Sequence, residues 1–458
     1  MKTHHYIFLT TFIFVVLFYN EYVGLNLSIL GIFLSVFTFV KTPVQNRTKI
    51  FYFLFMTGIL SSIAFAYYGD FPSFLAVAIS VLMLSFRSKQ KKLKTFMLLP
   101  VVIANFFTSI CRVFSFSEWI PKTNSSGLKQ KIIAFVIIPF VFAMAFFGIY
   151  AAGSDSFAAV FTNINFNISF IQIFFLSVSG FYFAFNYWNF IVERTIYKNN
   201  HCLSNEFTLS HQEQKPTWSF LDFKSERTSG IISLIVLNLM LVFFIATYTY
   251  EQFYQTEKSP NYMSEETHNR VEAVIGSIVM AISVILFYFK SGFNFDPKSF
   301  WLKNLAKLWI GLNLILVIIT AVKNTEYLIL HAFTYKKLGV YAFLILAAVG
   351  LIITFIKIQK KKTNAYLFNS MIWAFYGTIL ACSFINWGGI ITMQNSKRND
   401  FAIQFHLQSI NFSEKQLINY AEKKNDEKLL KQINSKINLE KQESFLSKIL
   451  FYETVKTK

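Results

Sequence analysis

Cysteine is nearly absent from this chain. Cys111, Cys202 and Cys382 stand far apart with no C-x-x-C spacing. That pattern excludes a disulfide framework and a zinc site of the usual spacing. Charge is also scarce: 15% of the residues are charged, against roughly 25% in a soluble domain. Acidic residues are the scarcer sign, 24 against 43 basic ones, for a formal net charge of +19. Enzyme signatures are missing as well. There is no G-x-x-x-x-G-K-[ST] loop to cradle phosphates, no H-E-x-x-H helix and no G-x-S-x-G elbow. His201, Cys202 and His211 share a loop, but their spacing fits no metal pattern. The sequence therefore predicts no catalytic residue, no metal and no cofactor.

What the chain has in excess is apolar length. Hydrophobic residues make up 54% of 458, and they come in blocks of roughly 17–25, the thickness of a bilayer core. Inside lipid the backbone must satisfy its own hydrogen bonds, so such blocks are helices. Apolar length marks segments 6–20, 26–40, 51–68, 73–87, 96–115, 131–152, 168–191, 230–249, 271–289, 304–322, 339–357 and 367–386. The fold class is all-α: a polytopic transmembrane bundle of about 11–12 helices with a small C-terminal helical tail. The N-terminus, "MKTHHYIFLTTFIFVVLFYN", resembles a signal peptide but is followed by no small-x-small cleavage site, so it reads as an uncleaved first span. The location expected is a bacterial inner membrane, with the lipid bilayer as the principal partner. The positive charge clusters in short loops beside apolar blocks, as the positive-inside rule requires, and so does not indicate nucleic acid.

Loop charge predicts the topology. "KTPVQNRTK" (41–49), "RSKQKKLK" (87–94), 290–303 and "IQKKKTN" (358–364) are basic and should face the cytoplasm; "GDFPS" (69–73) and 251–267 are acidic and should lie outside. Counting from the two ends gives opposite sides for 117–131. Segment 96–115 carries Pro100, Asn105 and Arg112, and a re-entrant or interfacial helix there restores parity, leaving about eleven crossings. A mis-split first hairpin is the alternative. The chain divides into an N-terminal transmembrane half (1–192), a polar loop (193–229), a C-terminal half (230–393) and a polar tail (394–458). In the tail, Ser413 and Gln416 suggest a capping box. Leu430, Ile433 and Ile437 form one helical face, and Phe445, Leu446, Ile449 and Leu450 form another.

Polar residues in or near the apolar blocks are the candidate functional positions. Asp155 follows a full spanning length after Gly153 and Ser154, and reads as a helix cap or as a solute or proton site. Arg112 reaches either a headgroup phosphate or a membrane carboxylate. Asn186, Asn238 and Asn313 read first as interhelical hydrogen-bonding groups. Tyr327, His331, Thr334 and Lys337 sit between two spanning segments.

Two stretches resemble a known group. "IIPFVFAMAFFGIYAAGSDSFAAVF" and "TEYLILHAFTYKKLGVYAFLILAAVGLIITFIKI" are similar to a bacterial polytopic membrane family, the domains of unknown function four-one-five-three and four-one-seven-three. The matching positions are Asp155 and Phe157, then Tyr327, Thr334, Lys337 and Tyr341. Ser156 stands where Pro is usual and Lys337 where Arg is usual, which weakens any argument from a rigid Asp-Pro turn or a bidentate Arg. The resemblance extends over residues 100–390 and implies a membrane location and a shared fold, with no activity attached. Two functions remain open: a transporter or permease-like bundle with a polar path, or a membrane-anchored sensor or scaffold that binds a protein partner through 193–229 or 394–458. A membrane enzyme acting on lipids lacks any paired acid and base.

Overall fold

A computed structural model describes residues 2–120, 135, 138–154, 169–208, 220–254 and 260–456. Among them every regular element is helical. Among the described residues eight helices are long and apolar enough to cross a membrane, and three shorter ones are also apolar. The chain forms two compact units. The first comprises 1–92, 97–196 and 442–450; the second comprises 93–96, 197–441 and 451–458.

The first unit contains α1 (Thr3–Phe18), α2 (Leu25–Lys41), α3 (Lys49–Tyr68), α4 (Phe71–Lys89), α5 (Leu98–Arg112), α6 (Ile138–Gly153) and α7 (Phe170–Trp188). Short polar residues start these helices: Thr48 caps α3 through Phe51 N–H, and Asp70 caps α4 through Ser73 N–H. Gly69, at φ +61°, ends α3 in the left-handed conformation that glycine adopts without strain. Small residues bring α2, α3 and α4 together. A Cβ on Gly31 would stand 2.4 Å from Ser62 Oγ, and one on Gly58 would stand 2.7 Å from Ser35 Oγ. Ser35 and Ser62 return their hydroxyls to the carbonyls of Gly31 and Gly58, so the close approach leaves no polar group open. Aromatic residues fill the α1–α7 interface, where Trp188 Nε1 donates to Thr10 Oγ1 at 2.7 Å.

Residues 442–450 close the far end of this unit. Leu25 and Asn26 donate their backbone N–H to the carbonyls of Lys448 and Leu446. Residues 443–449 are therefore not the helical stripe that their apolar pattern suggests: their carbonyls are used by the first turn of α2, and only α17 (Leu450–Glu453) is helical. Gly24 makes this contact possible, because a Cβ there would lie 2.2 Å from Ser447 O. Gly24→Ala is expected to displace the segment at a cost of about 1–3 kcal/mol. Trypsin cleavage at Lys448 should accelerate, whereas Gly148→Ala, with open space around its Cβ, should leave it unchanged.

The second unit contains α8 (Phe223–Tyr254), α9 (Pro260–Tyr288), α10 (Phe300–His331), α11 (Tyr335–Gln359) and α12 (Asn364–Cys382). These are followed by α13 (Trp387–Asn395), α14 (Ile403–Ser409), α15 (Glu414–Lys424) and α16 (Glu427–Gln442). An apolar core joins α8, α9, α10 and α11 around Leu234, Ile278, Leu316 and Leu351. Helices α10 and α11 are antiparallel. Lys307 meets Gln359 at one end of the pair, and Thr325 meets Tyr341 at the other. Gly388 and Gly389 lie in the first turn of α13, capped by Asn386. Ser413 makes no capping box: its buried hydroxyl serves the carbonyls of His406 and Ile410. In α16 the buried face is Leu429, Ile433 and Ile437, with Leu430 at its margin.

Candidate functional site

The buried face of α10 carries a line of polar side chains. Trp309, Asn313, Thr320, Asn324 and Tyr327 are buried, and His331 ends the row half-buried. Steps of 4, 7, 4, 3 and 4 residues keep them on one side of a 3.6-residue helix. From Trp309 to His331 the helix rises roughly 33 Å, about the thickness of the hydrocarbon core.

Helix α8 runs parallel to α10 and faces this line. Asn238 donates to the Leu305 carbonyl at 3.2 Å and to its own Leu234 at 2.6 Å. Tyr248 and Thr320 hydroxyls approach to 3.5 Å. Asn313 donates to Trp309 O at 2.8 Å. Asn238 Oδ1, Asn313 Oδ1 and Trp309 Nε1 are buried and have no hydrogen-bond partner among the described residues. Two acceptors and one donor thus stand open toward the Trp309 end of the line, each at a cost of about 1–3 kcal/mol if left unmet. The side chains of the line from Trp309 to Tyr327 are all neutral.

At one end the line meets the α10–α11 corner. Ala332, at φ +70°, breaks the helix. Thr334 caps α11 through Lys337 N–H. The Lys337 ammonium turns back to the carbonyls of His331 and Ala332, at 3.1 and 2.8 Å, and sits 3.9 Å over the Tyr327 ring. A cation at a helix C-terminus suits the helix dipole. Asn324 donates to Lys337 O, Tyr341 meets Thr325, and Arg398 donates to the carbonyls of Ile329 and Leu330. Tyr327, Thr334, Lys337 and Tyr341, distant positions of one sequence motif, are the parts of this corner.

Tail residues lock the corner. Asn395 brackets Phe333, accepting its N–H at 2.7 Å and donating to its carbonyl at 2.9 Å. The same amide nitrogen lies 3.1 Å from His406 Nε2, while Thr392 Oγ1 lies 2.8 Å from Nδ1. Because the amide nitrogen only donates, Nε2 must accept, which places the imidazole proton on Nδ1. His406 is 2% exposed, and burial lowers its pKa to about 4.

At the opposite end, Arg227 on α8 donates to Asp296 at 2.7 Å. Burial works to raise the Asp296 pKa, but hydrogen bonds from Arg227 and Ser299 hold it below the ordinary carboxylate value. Lys357, fully buried, donates to Phe289 O beyond the end of α9.

The remaining candidates are placed elsewhere. Asn186 bonds Tyr182 O within its own helix. Arg112 donates to Asn105 Oδ1 at 2.9 Å and to Asn189 O at 2.6 Å, and it is 4.0 Å from Glu118. Asp155 and His211 lie outside the described residues. Among the described residues no group of three or more His, Cys, Asp or Glu is placed to hold a metal ion. Asn395, Arg398 and His406 escaped the sequence reading because they look like ordinary tail residues. The α10 line had a readable signal, since its spacing follows one helix face.

The family model for DUF4153, a domain of unknown function, matches residues 27–414. That span is wider than the 100–390 suggested by the two motifs, and it contains both the α10 line and the corner. No curated protein and no solved structure matches the chain.

Proposed function

This chain belongs to the DUF4153 family, and on that premise we propose that its second unit is a permease-like bundle that passes a small, neutral, hydrogen-bonding solute. The observation that carries this reading is the polar line on α10, facing Asn238 and Tyr248 of α8. Its chemistry selects the solute. A charge at mid-bilayer costs at least about 2.5–3.5 kcal/mol, and no charged side chain in the line offsets that. A neutral solute instead gains partners in the open atoms of Asn238, Trp309 and Asn313.

The proposed orientation follows from the basic ends. In the first unit, 442–450 packs on the α1–α2 turn, away from loops 41–49 and 87–94. In the second, the tail packs on the α10–α11 corner, away from 290–303 and 357–362. With basic loops in the cytoplasm of a bacterial cell, both units put the tail outside. Ser169 N–H meets Tyr19 OH near the α1–α2 turn. The chain between loop 87–94 and Ser169 therefore crosses an odd number of times. Asn105 and Arg112 hold α5 to residues 189–191 beyond the end of α7, so α6 is the crossing helix and about eleven crossings result. The outward tail, held on the corner through Asn395 and His406, also supports the scaffold reading, in which a protein partner binds 394–458.

Proteoliposomes containing the full chain test the permease reading, with glycerol, urea and proton fluxes followed by stopped flow. Glycerol or urea flux should exceed that of protein-free vesicles, and proton flux should not. Asn313→Leu should reduce the solute flux roughly ten- to hundredfold, the value of one hydrogen bond to the solute. Glycerol and urea fluxes both equal to those of empty vesicles, or a rise confined to protons, would overturn the proposal.

A further inference from the structure

We propose that the first unit binds the phosphodiester headgroup of an anionic lipid through Lys41, Lys89 and Arg112, gathered around the C-terminal end of α7. The three cations come from α2, α4 and α5 but converge on two consecutive residues. Lys89 Nζ donates to Trp188 O at 2.7 Å and lies 3.9 Å over the Phe190 ring. Lys41 Nζ lies 4.7 Å over the Trp188 ring and 4.9 Å over Tyr6. Arg112 donates to Asn189 O at 2.6 Å, with Phe185 5.6 Å away.

Capping of α7 does not account for three cations. A helix C-terminus offers roughly half a negative charge. The described carboxylates of this unit are Glu21, Asp70, Glu118, Glu193 and Glu443. Glu21 and Glu443 lie with the α1–α2 turn and the tail segment, and Asp70 lies in the α3–α4 turn. That leaves Glu118, 4.0 Å from Arg112 and half exposed, and Glu193, which is exposed.

Donor capacity is also unfilled. Among the described residues Lys41 Nζ makes one long hydrogen bond, 3.4 Å to Thr3 Oγ1, out of three it can donate. Arg112 Nε is buried and makes none. Lys41 and Lys89 both keep part of their surface exposed. A phosphate with several acceptor oxygens matches these donors. The aromatic rings around them suit the membrane boundary, and basic pockets between helices on the cytoplasmic side are where lipid headgroups bind.

A lipid phosphodiester and free phosphate share this chemistry, and titration separates them. The full chain in neutral detergent is titrated with phosphatidylglycerol, phosphatidylcholine and inorganic phosphate, and bound lipid is counted by native mass spectrometry. Phosphatidylglycerol should be retained roughly ten- to thirtyfold more tightly than phosphatidylcholine, as two near-surface lysines would give. Millimolar phosphate should not displace it. Lys41→Gln with Lys89→Gln should lose the preference, and Lys41→Arg with Lys89→Arg should keep it. Equal retention of the two lipids overturns the proposal. So does displacement by phosphate, or a folded Gln variant that keeps the preference. If the Gln pair does not fold, the wild-type comparison and the Arg pair decide.

Discussion

Arg227→Met is expected to destabilise the second unit by about 3–5 kcal/mol, because it leaves a buried carboxylate without its counter-charge. The Asp296 side chain is 3% exposed and, besides the guanidinium, is held by Ser299 Oγ and Lys298 N–H. The loss should appear in thermal unfolding of the purified chain. Asp296→Asn in the Arg227→Met background should recover much of it, since the two residues form one coupled pair. The pH dependence has a fixed sign. Asp296 has a folded-state pKa below its ordinary value of 3.8, so its contribution is complete above 3.8 and is lost as pH falls through the lower folded value. A variant as stable as wild type at pH 7 would show that the pair contributes nothing.

Acidification from pH 7 to 5 should loosen the tail by about 2 kcal/mol through His406. Its pKa falls from 6.5 to about 4 on burial. In that window the unfolded state binds more protons than the folded one, so stability is full above 6.5 and falls as pH drops toward about 4. Protonation would put an N–H on Nε2, against the Asn395 amide nitrogen that now donates to it. Opening free energies of residues 396–441, taken from hydrogen exchange corrected for the intrinsic pH dependence of amide exchange, should fall by about 2 kcal/mol between pH 7 and pH 5, and His406→Asn should remove the change. Opening free energies that are flat over this range in the wild type would sink the assignment.

The helices were readable because a spanning helix needs only apolar length, which one residue after another supplies. The α10–α11 corner was readable in part: Tyr327, Thr334, Lys337 and Tyr341 carry the family motif, and the structure brings them to one turn. The tail was misread where local pattern met distant demand. Ser413 had the spacing of a capping box, but His406 and Ile410 carbonyls claimed its hydroxyl. The stripe at 445–450 had helical period, but α2 claimed its carbonyls. Asn238 and Asn313 were visible as polar residues in apolar blocks. Their facing arrangement depends on the parallel pairing of α8 with α10, which no local pattern encodes. Lys41 and Lys89 looked like ordinary loop-edge charges until α7 brought them together.

The contact between Tyr22 and Ser447 has a consequence for biogenesis. The two residues are 425 positions apart. At ordinary translation rates of about 5–20 residues per second, that interval is on the order of a minute. Throughout it, the amides of Leu25 and Asn26 await acceptors on a segment not yet made. The α1–α2 turn is therefore completed only once residues 446–448 have been made, and a chain truncated before residue 442 lacks the acceptors for Leu25 and Asn26.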